Sequence, residues 1–226
     1  VPKEADGVSR PSRPKIYHIV HVDRLGSIIQ DGKLWSDAVL VGKNRPGTTI
    51  GMTSIKARRL RELRLTSHPD LFVGECVPFY FCPRSVMLYL ISCANHPELA
   101  YHGGQEPIVH LECDLFETIA WCESKDRRWA FTLSNAGAYY FEDRSDVADL
   151  DQIHWGAVQA RQWSGAGIPK EVKEGKQAEF LVERSFPWYL VERIGVHSKG
   201  IAHRVAVGLQ RAAHKPPIEI LRDWYY

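Results

Sequence analysis

The sequence predicts an α+β fold in which a mainly antiparallel β-sheet is flanked by helices. Many short apolar runs of strand length are separated by Pro and Gly turns, and helix-like stretches are few. Neither GxGxxG nor GxxxxGK[ST] occurs, which argues against a parallel sheet with a Rossmann or Walker loop. No internal repeat is present. A chain of 226 residues buries a sizeable core without staples. We expect one domain over residues 15–226, preceded by a flexible leader, residues 1–14, that is polar and rich in Pro and charge.

Residues 15–20 (Lys-Ile-Tyr-His-Ile-Val) read as the first strand. Asp23 is placed to cap a helix over residues 24–30, which Asp31-Gly32 stops. A Gly-rich polar stretch spans residues 42–51. Residues 54–65 are helix-like and basic, with Lys56, Arg58, Arg59, Arg61 and Arg64 inside nine positions. Residues 77–81 form a strand ended by Cys82-Pro83, and residues 85–93 a mostly buried helix closed by Asn95-His96-Pro97. Residues 108–111 are a strand, and 117–122 fit strand or helix. After the turn at residues 134–137, a stretch with several Gly, Trp155 and Trp163 reads as mobile to about residue 175. The last third holds a strand opening at Glu179, a turn at Pro187-Trp188, a strand over 191–196 and a final strand near 218–221.

The formal charge of +2 is nearly balanced, so nucleic-acid binding requires a local cluster rather than an overall field. Seven Trp and nine Tyr are many for this length and suit base or nicotinamide stacking as well as a core. Five Cys form an odd set with no CxxC, which fits buried thiols of a reducing cytosol better than zinc or disulfides. No run is long enough to span a membrane. HExxH and GxSxG are missing, and Asp143, Asp146, Asp149 and Asp151 lack the Gly and distal Glu of an EF loop, so they read as a solvated acidic turn. No metal is expected.

The most informative stretch is Lys176-Gln177-Ala178-Glu179-Phe180-Leu181-Val182-Glu183. Strand alternation sends Glu179 and Leu181 to one face and Phe180 and Val182 to the other. Leu181 indicates that this face is partly buried, where an acid costs free energy unless it has a partner or a role. The plain alternative is a Glu179–Lys176 pair at the strand end. His18 reads either as a bonded core histidine or as a neutral imidazole holding a ribose hydroxyl or carboxamide. Tyr80, opposite in face to Phe79 and Phe81, is either core or a stacking ring. The basic cluster is either a solvated helix face or a set of phosphate contacts. Consecutive helix residues point about 100° apart, so Arg58 and Arg59 need not share a target.

With Tyr17-His18 on the first strand, Val77-Pro78-Phe79-Tyr80-Phe81-Cys82-Pro83-Arg84-Ser85-Val86-Met87-Leu88-Tyr89 in the middle and residues 176–182 late, the chain resembles the DarT family. These are DNA ADP-ribosyltransferase toxins of bacterial toxin–antitoxin pairs. The resemblance runs from about residue 16 to 226 and includes residues 107–111, Arg161-Gln162-Trp163 and Trp224-Tyr225-Tyr226. It implies an ADP-ribosyltransferase fold, a split sheet with NAD+ as co-substrate in the cleft. His18, with Tyr17 beside it, Tyr80 and Glu179 take the NAD+-handling positions. The run Cys-Pro-Arg-Ser-Val-Met-Leu resembles the members that modify thymidine in single-stranded DNA; a sister group acts on guanosine. Relatives carry an arginine of the basic helix near the acceptor base, which falls on Arg58 or Arg59. Some also show an Asp-Gly-Asn-Ala turn, sometimes after a His; here Leu133-Ser134-Asn135-Ala136 stands instead, so base positioning by that His does not carry over. A cognate macrodomain-type antitoxin and a bacterial cytoplasmic location are implied as well.

On this reading Glu179 stabilises the ribose cation as nicotinamide departs. Arg58 or Arg59 lowers the pKa of the thymine ring nitrogen, and Lys56, Arg58, Arg59, Arg61, Trp155 and Trp163 grip the strand. Two rivals remain: a single-stranded nucleic-acid-binding module without catalysis, and ADP-ribosylation of another base, RNA or protein.

Overall fold

The computed structural model describes residues 8–43, 45 and 47–226, so the first half of the expected leader, residues 1–7, lies outside the described residues. Its later half is tethered: Arg10 meets Asp151 at 3.5 Å and Arg13 meets Asp114 at 3.4 Å. The chain builds β1 (Lys15–His21), α1 (Leu25–Asp31), β2 (Lys33–Trp35), α2 (Asp37–Val41), α3 (Thr53–Arg61), β3 (Cys76–Tyr80), α4 (Val86–Cys93), β4 (Ile108–Asp114) and α5 (Leu115–Ser124). There follow β5 (Trp129–Thr132), β6 (Asp143–Arg144), α6 (Trp155–Gln159), α7 (Lys170–Gly175), β7 (Glu179–Glu183), β8 (Ser185–Pro187), β9 (Arg193–Val196), α8 (Lys199–Leu209) and β10 (Ile218–Ile220).

Eight strands form one sheet in the order β10-β9-β4-β1-β3-β7-β5-β6, antiparallel throughout except for β9 with β10. Strands β2 and β8 pair separately. The main core lies on the face carrying Ile16, Val20, Phe79, Phe180 and Val182. The opposite face is covered in two patches, one with Leu63, Leu65, Val73 and Leu181, the other with Ile19, Met52, Leu88 and Ile91. Burial on both faces explains why β4 is buried at every position and why β7 reads as a continuous apolar run. β1 and β3 share one backbone pair, Tyr17 with Tyr80, and part beyond it. The His18 side chain fills the gap, its Nδ1 lying 2.8 Å from the Pro78 carbonyl oxygen.

The α+β class and the antiparallel sheet agree with the sequence expectation, but helices are more numerous than expected. The largest omission is α8, whose buried Ile201, Val205 and Leu209 recur every four residues after a Ser198 cap. Residues 117–122 resolve as helix α5 because Asp114 accepts hydrogen bonds from the Phe116 and Glu117 amides. Asp23 does not cap α1; its carboxylate accepts from the Thr48 amide and hydroxyl instead. Gly32 ends α1 with φ 65°, as its position implied. Within α4 only Leu88 and Ile91 are buried.

The stretch expected to be mobile up to residue 175 is packed. Trp155 and Trp163 are buried, and their indole N–H groups donate to Leu150 O at 3.0 Å and Tyr226 Oη at 3.1 Å. Asp143 is not solvated: it accepts from the backbone and side chains of both Thr66 and Ser67. Those four donors outweigh the cost of its burial and hold its pKa below the ordinary aspartate value.

His110 is fully buried on β4, with Nε2–H donating to Pro83 O at 2.9 Å and Nδ1 without a partner. Burial pushes its pKa down to about 4. An unfolded histidine titrates near 6.5, so below that pH the unfolded chain takes up a proton that the native site refuses. Native stability should therefore fall as pH drops from about 6.5 towards 4, by roughly 3 kcal/mol from this group. Thermal melts across that window should show the loss, and His110→Phe should reduce it, buried His18 contributing in the same direction.

Candidate active site

The cross-strand register aligns Glu112 on β4, Tyr17 on β1, Tyr80 on β3 and Glu179 on β7, which puts their side chains in one row across the sheet. At one end Arg193 closes the row, its Nε and Nη2 donating to Glu112 at 2.6 and 2.9 Å. Tyr17 Oη donates to Glu112 at 3.0 Å, and its ring meets Trp224 edge-on at 5.2 Å. That hydroxyl is thus committed to the row. Gly195 lets Trp224 lie this close, since a Cβ there would stand 2.5 Å from the indole.

Glu179 closes the other end, and it is buried. Its partner is Arg59, whose Nη2 reaches Oε2 at 3.0 Å and whose Nη1 lies 3.4 Å from Oε1. The Ala136 amide donates to Oε1 at 3.2 Å. The expected alternative, a pair with Lys176, is excluded. Lys176 Nζ donates to the Val158 and Ala160 carbonyls at 2.7 and 2.8 Å. A carboxylate offers about four acceptor sites, and Arg59 with Ala136 takes three, so one on Oε2 remains. Burial of Arg59 opposes its charge, but Glu179 outweighs this and raises its pKa, so the guanidinium stays protonated.

The turn after β5 holds this geometry. Thr132 Oγ1 accepts from the Glu179 amide at 3.0 Å and donates to Ser134 O at 2.6 Å. Asn135 spans the turn: its Nδ2 donates to Gln177 Oε1 at 3.0 Å, and its Oδ1 accepts from Gly137 N at 2.7 Å. A methyl at residue 137 would lie 3.0 Å from Ile55, so glycine lets the turn rest on α3. Sequence reading left Thr132 and Ala136 out, because β5 had not been seen as a strand beside β7.

Tyr80 is the cross-strand neighbour of Glu179. Burial raises its phenol pKa, with Glu179 adding to the effect and Arg59 opposing it, so it stays a neutral donor. His18 leaves the row by alternation and lines an adjoining pocket with Arg24, Ser27, Asp31, Trp35 and Leu40. Its contact to a carbonyl requires a proton on Nδ1, and burial lowers its pKa, so Nε2 carries a lone pair. The charge of Asp37 acts on both His18 and Arg59.

The basic helix divides as its geometry requires. Arg59 turns inward to Glu179, whereas Arg58 turns outward and lies over the Tyr139 ring at 5.1 Å. Lys56 is paired with Asp37 at 2.7 Å and Arg61 is exposed. Trp155 and Trp163, expected to stack on nucleic acid, are corrected by their burial, which leaves no ring face for a base. Among the described residues no group of three or more His, Cys, Asp or Glu is placed to hold a metal, and no helix is long and apolar enough to cross a membrane.

The arrangement couples a fixed carboxylate to a neutral phenol and a cation in a mostly buried site. Removing the cation alone leaves a buried charge. Arg59→Ala should destabilise the fold by about 3–5 kcal/mol. In denaturant melts, adding Glu179→Gln to that variant should recover part of the loss.

Residues 17–226 match the family profile described as "ssDNA thymidine ADP-ribosyltransferase, DarT". The chain is 37% identical over 218 residues to a DNA ADP-ribosyl transferase of Thermus sp. strain 2.9, covering 96% of this chain and 98% of that one. A Mycobacterium tuberculosis DNA ADP-ribosyl transferase is 28% identical over 199 residues, covering 87% of this chain and 82% of that one. Among solved structures, Thermus sp. 2.9 DarT in complex with ADP-ribosylated ssDNA aligns with a TM-score of 0.84 at 34% identity, covering 97% of this chain and all of that one. The same protein in complex with NAD+ aligns with a TM-score of 0.79 at 34% identity, over 96% of this chain and all of that one.

Proposed function

The chain belongs to the DarT family of single-stranded-DNA thymidine ADP-ribosyltransferases, and we propose that Glu179, Arg59, Tyr80 and His18 divide its chemistry among them. The reaction is NAD+-dependent transfer of ADP-ribose to a thymidine base of single-stranded DNA, with release of nicotinamide. The observation that carries the assignment is the buried Arg59–Glu179 pair set beside Tyr80 with one carboxylate acceptor site unused.

Cleavage of the nicotinamide–ribose bond develops positive charge at the ribose C1′. Glu179 accepts a hydrogen bond from the ribose 2′-hydroxyl and steadies that charge more in the transition state than in the ground state. Arg59 and Ala136 fix the carboxylate in advance, so little reorganisation accompanies the reaction. Tyr80 stacks beside the departing nicotinamide ring. The His18 Nε2 lone pair accepts a hydrogen bond from a dinucleotide hydroxyl or carboxamide at the adjoining pocket.

Thymine is a weak nucleophile because its N3 carries a proton. The Arg59 guanidinium favours the anionic ring by turning Nη1 from its long 3.4 Å contact with Oε1 towards the base, and Glu179 accepts the N3 proton at the site this frees as the N3–C1′ bond forms and neutral nicotinamide leaves. Of the two arginines considered, Arg59 fits this role, since Arg58 faces Tyr139 instead. A paired thymine engages N3 in its base pair, which accounts for the single-stranded substrate.

Further proposals rest on the family: residues 15–226 act as one catalytic unit, the chain is a toxin of the bacterial cytoplasm, and its partner is a cognate macrodomain-type antitoxin. Incubation with NAD+ and a competing panel of DNA, RNA and protein should place ADP-ribose on the thymidine-containing DNA strand by mass spectrometry. Glu179→Gln should lower that transfer by about 10²–10³ or more while NAD+ still binds. Undiminished transfer in this variant contradicts the role given to Glu179, and label on RNA or protein alone favours the rival acceptors.

A further inference from the structure

The two tryptophans expected to stack on DNA are buried, which leaves open where a single strand is held by its bases. Among the described residues the exposed aromatic side chains are Tyr139, Tyr140 and Tyr189, at 66%, 80% and 56% exposure. Tyr139 and Tyr140 are adjacent and follow directly on the turn whose Ala136 amide holds Glu179. Exposed aromatic residues next to a reacting centre are a feature of surfaces that bind flat ligands.

The surroundings of these rings are organised. Tyr139 Oη donates to Glu62 Oε2 at 2.6 Å, which ties the ring to the end of α3. Arg58 lies over the same ring at 5.1 Å. Its guanidinium forms no ion pair among the described residues, and its Nε is buried without a hydrogen-bond partner. A cation without an acidic partner over Tyr139, with exposed Tyr140 next in the chain, matches one nucleotide, with a phosphate for the charge and a base for the stack. Glu62 is the nearby acid, and its Oε2 is engaged by the Tyr139 hydroxyl.

Residues 139 and 140 lie three and four positions beyond the amide that touches Glu179. At no more than about 3.3–3.6 Å per residue, they stand within roughly 10–14 Å of that amide. This is the reach of a neighbouring nucleotide, whereas the acceptor base itself must sit at Arg59 and Glu179. We infer that Tyr139, Tyr140 and Arg58 form a subsite for a nucleotide flanking the acceptor thymidine, with the tyrosines stacking on its base and Arg58 contacting its phosphate. This rests on the function proposed above and deepens it: stacking tolerates any base, so the subsite contributes strand affinity more than sequence choice.

The test is steady-state transfer from NAD+ to a single-stranded oligonucleotide carrying one thymidine, with NAD+ hydrolysis measured in parallel. Tyr140→Ala should raise the oligonucleotide KM about tenfold while kcat and NAD+ hydrolysis stay at wild-type values; Tyr140→Phe should keep the wild-type KM. Tyr139→Phe, which loses the Glu62 contact and keeps the ring, should also stay close to wild type. Replacing the nucleotides on both sides of the thymidine by abasic sites should raise the wild-type KM to that of Tyr140→Ala and leave the variant unchanged. Arg58→Ala should lower the slope of log affinity against log salt by about 0.7. A wild-type KM in Tyr140→Ala, or wild-type indifference to abasic flanks, overturns the subsite while leaving the catalytic reading intact. A wild-type chain that hydrolyses NAD+ yet modifies no DNA overturns the DNA reading and the subsite together.

Discussion

A carboxylate buried at the mouth of a strand is tolerated only with a cation against it, and the Arg59–Glu179 contact is the constraint from which the rest of the site follows. To bring Arg59 there, α3 must dock over the end of β7. Met52 before the helix and Leu63 and Leu65 after it are buried and fix it in place. To hold the second carboxylate oxygen in register, the turn after β5 must close over Glu179, which Thr132, Asn135 and Gly137 accomplish together. An ion pair of this kind adds little net stability, because desolvation consumes most of the attraction. Its value is in orientation. A carboxylate held by two partners and free at one acceptor site is ready for a substrate hydroxyl.

The sheet does more than support this pair. The row Arg193, Glu112, Tyr17, Tyr80 and Glu179 crosses five strands, with a cation at each end and two tyrosines between the acids. The Arg193 end is a closed network capped by Trp224, whereas at the Arg59 end Glu179 keeps one acceptor site unused. Where β1 parts from β3, His18 lines the adjoining pocket. A continuous β1–β3 ladder would place backbone hydrogen bonds where the His18 side chain now lies.

Much of this was legible in the chain. Leu181 correctly indicated burial on the Glu179 face of β7, and the Ser85 and Gly32 boundaries of α4 and α1 follow from ordinary capping chemistry. The partner of Glu179 was less accessible. Lys176 is three residues away in sequence and Arg59 is 120, so proximity along the chain favoured the wrong cation. The 100° between Arg58 and Arg59 separated their roles in principle, but only the docking of α3 decides which one turns inward. The tryptophans misled for a related reason: composition counts aromatic rings without saying which are covered, and the exposed pair proved to be tyrosines in a turn. Strand β5 escaped because Trp129-Ala130-Phe131-Thr132 is apolar on both faces and carries no alternation.

The most direct measurement is a crystal structure of this chain with a non-hydrolysable NAD+ analogue. The ribose 2′-oxygen should lie about 2.6–3.2 Å from Glu179 Oε2, with Arg59 still in contact with the carboxylate and Tyr80 against the nicotinamide ring. A dinucleotide whose ribose lies away from Glu179, or whose binding swings Arg59 off the carboxylate, would contradict it.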